Sequence, residues 1–305
     1  MPKSESVGFV GLGVMGSALS GHLLRAGHEV VGYDIAPPRL AEHADRGGRS
    51  AASPAEVAAQ VPVVVTSLPS AAALAEVTHG DDGVAAWGAA GLIVLETSTL
   101  PIEVKQDARQ FLGERGITLL DCPLSGTGEQ ARRGDVIAYL SGDSAAKERA
   151  APVVAAMTRA CHDVGPFGNG SKMKFIANLL VTVHTMAAAE ALLLARRAGL
   201  DLATVLEAVG DGAGTSRMFE IRGPLMAEER YPASSMPTAL FAKDIQIITD
   251  FAGQLGTPTP LFSLASVFHR AALAQGRGQD DLACLYAVLG QLAADGRVTG
   301  ALDGR

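Results

Sequence analysis

Short β-branched apolar runs alternate with amphipathic stretches through the first half of the chain. The runs are "VGFV" at 7–10, "EVVGY" at 29–33, "VPVVVTSL" at 61–68, "LIVLETS" at 92–98, "ITLLDCP" at 117–123 and "DVIAYLSG" at 135–142. Runs this short, rich in Val and Ile and bounded by Gly, Pro, Asp or Ser, predict strands. The segments between them carry helix signals. Ser53-Pro54 sets a cap before a proline at the first helical position, and Thr99-Leu100-Pro101 opens another helix. Strands alternating with helices predict βαβ units and an α/β fold with a largely parallel, doubly wound sheet.

The second half has a different period. "SKMKFIANLLVTVHTMAAAEALLLARRAGL" at 171–200 is long, Ala-rich and without Pro, and Gly199 closes it. It is apolar around most of its circumference, which predicts a helix covered on several sides. Further helical patterns follow at 201–210, 215–229, 237–255, 258–275 and 280–294, and no strand-like alternation follows about residue 165. We therefore expect an α/β domain over 1–165 and an all-helical domain over 166–305, joined by the long helix.

Composition narrows the function classes. The 305 residues are 48% hydrophobic and 19% charged, as in a globular chain. A net charge of -7 argues against a nucleic-acid surface, which needs clustered Lys and Arg. Cys122, Cys161 and Cys284 are odd in number and widely spaced, so they read as reduced thiols and not as metal ligands. "MPKSES" shows no secretory pattern. No apolar stretch reaches the roughly 18 residues of a membrane span without Gly, Pro or a charge interrupting it. These features predict a cytoplasmic protein without a membrane or nucleic-acid partner.

Candidate chemistry begins at "VGFVGLGVMGSALSGHLLRAGHEVVGYD", residues 7–34. A pyrophosphate needs donors at close range. Gly11 and Gly13 let backbone approach it, and Gly16 lets the following helix pack on the strand. A helix starting near Val14 presents unpaired N–H groups and a positive dipole end. Asp34, 23 residues beyond Gly11, closes the second strand, where a carboxylate accepts from the adenosine ribose hydroxyls. That carboxylate would repel a 2′-phosphate, so NAD is favoured while NADP stays open. Arg39 reads as a solvated arginine at a helix start.

With these residues in place the sequence resembles the β-hydroxyacid dehydrogenase family, which includes 3-hydroxyisobutyrate dehydrogenase, tartronate semialdehyde reductase and the glyoxylate/succinic semialdehyde reductases; 6-phosphogluconate dehydrogenase is a larger relative. The likeness covers nearly the whole chain. "GLGVMG", from Gly11 through Leu12, Gly13, Val14 and Met15 to Gly16, matches the cofactor fingerprint. "TSLP" at 66–69 and "ETST" at 96–99 match two loops beside the nicotinamide, which implies cofactor contacts at Leu68, Pro69 and Thr99. "DCPLSGTGEQARRGD" at 121–135 matches the substrate segment, implying Ser125, Gly126 and position 127. There the family's usual second Gly is replaced by Thr127. "GNGSKMKFIAN" at 168–178 matches the catalytic helix start, with Lys174 as catalytic lysine and Asn178 as its partner, and Lys243 of "KD" matches a lysine near the cofactor.

The resemblance implies hydride transfer between nicotinamide and a small 3-hydroxy acid or its semialdehyde. A lysine amine with a pKa lowered by apolar surroundings or a neighbouring cation takes the hydroxyl proton. Lys174 and Asn178, at i and i+4, share a helix face. No metal is expected, because no His/Cys/Asp/Glu cluster offers one. His184 reads as a core or interdomain histidine, Trp87 as packing, and Asp280-Asp281 as a helix start. Arg217 and Arg222 either reach a substrate acid or line a solvated helix face. An imine reductase of related architecture and a non-catalytic cofactor-binding scaffold are the alternatives. The apolar long helix and the family likeness imply a homodimer or homotetramer.

Overall fold

A computed structural model describes residues 5–232 and 237–294. It divides into two compact units, 1–176 and 177–305. Unit 1 opens with β1 (Ser6–Val10), α1 (Val14–Arg25), β2 (Glu29–Tyr33), α2 (Pro37–Asp45), β3 (Arg49–Ser50), α3 (Pro54–Ala58) and β4 (Val63–Thr66). It continues through α4 (Ala71–His79), α5 (Val84–Trp87), β5 (Ile93–Glu96), α6 (Ile102–Gly113), β6 (Thr118–Asp121), β7 (Leu124–Ser125) and α7 (Gly128–Arg132). β8 (Ile137–Leu140), α8 (Ser144–Met157) and β9 (Ala160–Asp163) lead into α9 (Asn169–Arg197). Unit 2 adds α10 (Leu202–Gly210), α11 (Arg217–Ala227), α12 (Thr238–Gln254), α13 (Pro260–Ala274), a 3-10 turn (Leu282–Cys284) and α14 (Leu285–Ala294).

Six strands form a parallel sheet in the order β3-β2-β1-β4-β5-β6. Successive residues of each strand enter opposite cores. Phe9, Val63, Val65, Ile93, Leu95 and Leu120 face one layer, and Val10, Val64, Val94 and Leu119 face the other. Burial on both faces is why these strands read as continuous apolar runs rather than alternating ones. The Ser53 hydroxyl accepts from the Glu56 N–H, so the expected cap opens α3.

"DVIAYLSG" does form a strand, but not in the main sheet. β8 pairs antiparallel with β7 and parallel with β9 in a separate three-stranded sheet. β9, "ACHD", is mostly exposed and has no apolar run to announce it; pairing alone makes it a strand. Trp87 is 59% exposed, so it is not the packing residue expected.

In unit 2 each anticipated helix forms within a few residues of its pattern. Met186, Leu192, Phe219, Met226, Ala272, Leu285 and Val288 build the core. Arg222 is buried rather than turned to a substrate. Its Nε donates to Asp281 Oδ1 at 3.0 Å, and the same oxygen accepts from the Ala283 N–H at 2.8 Å. Asp281 thus caps the 3-10 turn and neutralises a buried guanidinium. Arg217 is exposed and pairs with Glu220 at 2.9 Å. Among the described residues α9 alone has the length and apolarity of a membrane span, yet it buries Lys174, Asn178, Thr182 and Thr185.

His269, on α13, is also buried, and burial pushes its imidazole pKa down from 6.5 to about 4, partly offset by a hydrogen bond with the Thr238 backbone. Above pH 6.5 the ring is neutral in both folded and unfolded chains. Between 6.5 and 4 only the unfolded chain gains the proton, so stability falls with pH and levels off below 4. Urea unfolding should show a loss on the order of 2 kcal/mol from this group between pH 7 and pH 5. His269→Gln should remove that component.

Candidate active site

The parallel strands of the main sheet all end on one edge, and the loops that leave that edge carry most of the residues singled out in the sequence. Winding reverses between β1 and β4, because β1 connects toward β2 and β3 while β4 connects toward β5 and β6. Such a reversal opens a crevice at the carboxyl ends of the strands. The loop after β1 lies against the loop after β4. Gly11, at φ +91°, would place a Cβ 2.3 Å from the Ser67 carbonyl oxygen, so a side chain is excluded there. A Cβ on Gly16 would meet the Gly11 carbonyl oxygen at 1.9 Å, which explains the close seat of α1. A Cβ on Gly13 would meet nothing within 4 Å. Gly13 gives α1 no side-chain cap, and no acidic residue occupies its first turn. An open glycine before an uncapped helix start fits a dinucleotide pyrophosphate.

Asp34 is fixed in place. Its Oδ2 accepts from the Leu12 N–H at 2.7 Å and its Oδ1 from the Ala36 N–H at 2.8 Å. Each carboxylate oxygen keeps a second lone pair for a ribose hydroxyl. Arg39 is not simply solvated. Its Nη1 donates to the Leu12 carbonyl at 3.1 Å, so Asp34 and Arg39 clamp the Leu12 residue from its two ends. Val14 is 53% exposed and Met15 half-buried at the helix start. Leu68 and Pro69 follow β4, and Thr99 follows β5. The Leu68 N–H donates to Ser98 Oγ at 2.7 Å, which ties these two loops together.

The segment after β6 carries Gly126 and Thr127. Gly126 takes φ +148°, and a Cβ there would sit 2.7 Å from Val136 Cγ1, so glycine is required. Thr127 has φ -87°, open to any residue, and it caps α7. Its hydroxyl accepts from the Gln130 N–H at 3.3 Å, and its own N–H donates to Gln130 Oε1 at 3.0 Å. This reciprocal capping box engages the Thr127 N–H and one lone pair of its hydroxyl. Ser125 is half-buried on β7.

Lys174 and Asn178 lie one turn apart on α9 and are 6% and 4% exposed. Lys172, two residues earlier, is exposed and donates to Asn169 Oδ1 at 3.2 Å. In unit 2 the Asn178 Nδ2 donates to Asp244 Oδ2 at 2.8 Å, and Asp244 Oδ1 pairs with Lys243 at 3.1 Å. A carboxylate only accepts, so it fixes the amide's orientation and turns Asn178 Oδ1 the other way. In the sequence the "KD" pair points only to its lysine. Asp244, which orients Asn178, has no signal of its own there.

Residues 6–165 match the family model described as the NAD binding domain of 6-phosphogluconate dehydrogenase. Residues 168–289 match the one described as NAD-binding of NADP-dependent 3-hydroxyisobutyrate dehydrogenase. The chain belongs to the β-hydroxyacid dehydrogenase family. Similar proteins include the L-threonate dehydrogenase of Cupriavidus necator, 36% identical over 92% of this chain and 95% of its own. A solved 3-hydroxyisobutyrate dehydrogenase from Salmonella typhimurium is 34% identical, with a TM-score of 0.83 over 93% of this chain and 99% of its own. A Mycobacterium tuberculosis enzyme of the same name, solved with L-serine, is 26% identical with a TM-score of 0.84 over 93% of this chain and 99% of its own. This β-hydroxyacid dehydrogenase is therefore an NAD(P)-dependent oxidoreductase acting on a carbinol. Among its described residues no group of three or more His, Cys, Asp or Glu is placed to hold a metal ion.

The glycine geometry makes a direct prediction. Gly16→Ala forces α1 away from the Gly11 carbonyl at a cost of about 1–3 kcal/mol. NADH binding, followed by fluorescence titration, should weaken by about tenfold or more.

Proposed function

We propose that this dehydrogenase moves a hydride between NAD and the carbinol carbon of a small 3-hydroxy acid, with Lys174 as general acid/base. The buried Lys174 one turn before a buried, oriented Asn178 carries this reading. Residues Gly11 to Gly16, Asp34, Leu68, Pro69 and Thr99 would hold the cofactor, which supplies the hydride acceptor when bound. Lys243 would add positive charge beside it.

In the oxidative direction the Lys174 amine accepts the hydroxyl proton as the C–H bond breaks. In the reductive direction its ammonium polarises the carbonyl and returns that proton. Asn178 presents Oδ1, an acceptor, which suits a substrate O–H other than the carbinol's, whose one proton goes to Lys174, and suits an anion poorly. The substrate carboxylate needs donors, and the Ser125 hydroxyl and Gly126 N–H supply them. At position 127 the N–H is taken by Gln130, while the hydroxyl, which accepts from the Gln130 N–H, keeps its own proton to donate. An imine reductase is disfavoured by the lysine, and a non-catalytic scaffold by the presence of Lys174, Asn178 and Ser125 together.

The relative named L-threonate dehydrogenase makes L-threonate and 3-hydroxyisobutyrate the first acids to test. We further propose a cytoplasmic enzyme that works as a homodimer or homotetramer. Exposed Ile176, Leu180 and Leu194 on α9, and Leu261, Leu264 and Val267 on α13, suit contact with further copies of the chain.

Absorbance at 340 nm should rise when the protein meets NAD+ and one of these acids. Lys174→Ala should lower kcat by about 10²–10⁴-fold while NADH still binds. Retained turnover in that variant would remove Lys174 from the chemistry. Asp34 sets the second expectation. The wild type should favour NAD+ over NADP+ in kcat/KM, and Asp34→Ser should narrow that ratio by about tenfold by removing one charge repulsion. An unchanged ratio would show that Asp34 serves only the Leu12 loop.

A further inference from the structure

Unit 1 buries a lysine that the proposed chemistry does not use. Lys105, on α6, is 0% exposed, and so are Glu96 and Asp121, which end β5 and β6. The Lys105 ammonium donates to the Ser98 carbonyl at 2.7 Å and to Asp121 Oδ1 at 2.9 Å, and it lies 3.9 Å from Glu96 Oε1. The cluster runs in two directions from this cation.

Toward the cofactor loops, Glu96 Oε1 accepts from the Ser98 N–H at 2.7 Å, and Thr66 Oγ1 donates to Glu96 Oε2. Ser98 Oγ in turn accepts from the Leu68 N–H at 2.7 Å. All three hydrogen-bonding groups of Ser98 are thereby engaged, and Ser98 directly precedes Thr99. Toward the catalytic helix, Asp121 Oδ2 accepts from the Ser171 N–H at 2.7 Å and Oδ1 from the Ser171 hydroxyl at 2.8 Å. Ser141 Oγ donates to Asp121 Oδ2 at 3.2 Å and accepts from the Gly170 N–H at 3.0 Å. Ser171 lies three residues before Lys174, on the same face of α9.

Apolar residues of similar volume would stabilise this layer as well or better, since three buried charges carry a desolvation cost that pairing only partly offsets. What the charges add is fixed geometry. Hydride and proton leave the same carbinol together, so the nicotinamide loop and the lysine helix must keep one separation, and small misplacements are costly. We infer that Lys105 is a positioning residue, tying the Ser98–Thr99 loop to the first turn of α9 and so setting Lys174 against the nicotinamide. This rests on the proposed role of Lys174.

The test compares wild type, Lys105→Met and Ser171→Ala, well below their melting temperatures. Its readouts are kcat, KM, NADH affinity, the isotope effect from substrate deuterated at the carbinol carbon, and amide hydrogen exchange at Leu68 and Ser171. In Lys105→Met we expect kcat to fall about 100-fold. KM and NADH affinity should stay within about threefold. The isotope effect should rise as hydride transfer becomes limiting, and protection of both amides should be lost together. A kcat within about threefold of wild type, or protection kept at either amide, overturns the inference. Should Lys105→Met fail to fold, Ser171→Ala decides, since it removes one hydrogen bond and leaves the ion cluster intact. A kcat loss of about tenfold with unchanged NADH affinity supports the tie, and no loss overturns it. A wild type inert on every hydroxy acid defeats the functional reading instead. Joint or separate loss of the two amides' protection still decides whether Lys105 links the loops.

Discussion

Everything functional in the first unit depends on six parallel strands ending on one side of a sheet. Parallel pairing sends each chain back by a crossover, so every strand delivers its carboxyl end to the same edge. Reversal of the winding between β1 and β4 then parts two neighbouring loops. The glycine loop, the Leu68–Pro69 loop, the Thr99 loop and the Ser125–Gly126 segment all leave from this edge. Their chemistry is varied, but their meeting place is a consequence of topology.

That edge is held by charge as well as by packing. The sheet core is almost wholly Val, Leu, Ile and Phe, and its two layers follow from alternate residues facing opposite ways. At the strand ends the apolar pattern stops, and Thr66, Glu96 and Asp121 take over, all at 0% exposure. Buried carboxylates in such a place need donors, and they draw them from Lys105, from serines and from the first N–H groups of α9. Cys122, next to Asp121, is buried in the same layer, and burial pushes its thiol pKa up, so it stays protonated. Another buried ion pair, Arg222 with Asp281, performs the structural version of this task in unit 2.

Asp34 and Thr127 show how one residue can satisfy fold and site together. The sequence position of Asp34 points to ribose, and the structure adds two backbone N–H groups that fix the carboxylate. Thr127 departs from the family's usual glycine, which made it look like a specificity mark. Its extended backbone needs no glycine, and its hydroxyl serves as a helix cap.

The sequence by itself determined the elements and the candidate chemistry. Periodicity is a local property, so "EVVGY" could be placed at 29–33 and observed there without shift. Glycine spacing, the acid after the second strand and the lysine helix are likewise local patterns. Only tertiary structure decided which elements pair and which buried polar groups find each other. β8 carried the apolar signature of a main-sheet strand and joined β7 and β9 instead, because strand pairing is a long-range choice. Lys105 looked like any lysine of an amphipathic helix, and Asp244 like the neighbour of a more interesting lysine. Their importance lies in partners 16 and 66 residues away, and hydrogen bonds across such separations leave no local mark in the sequence.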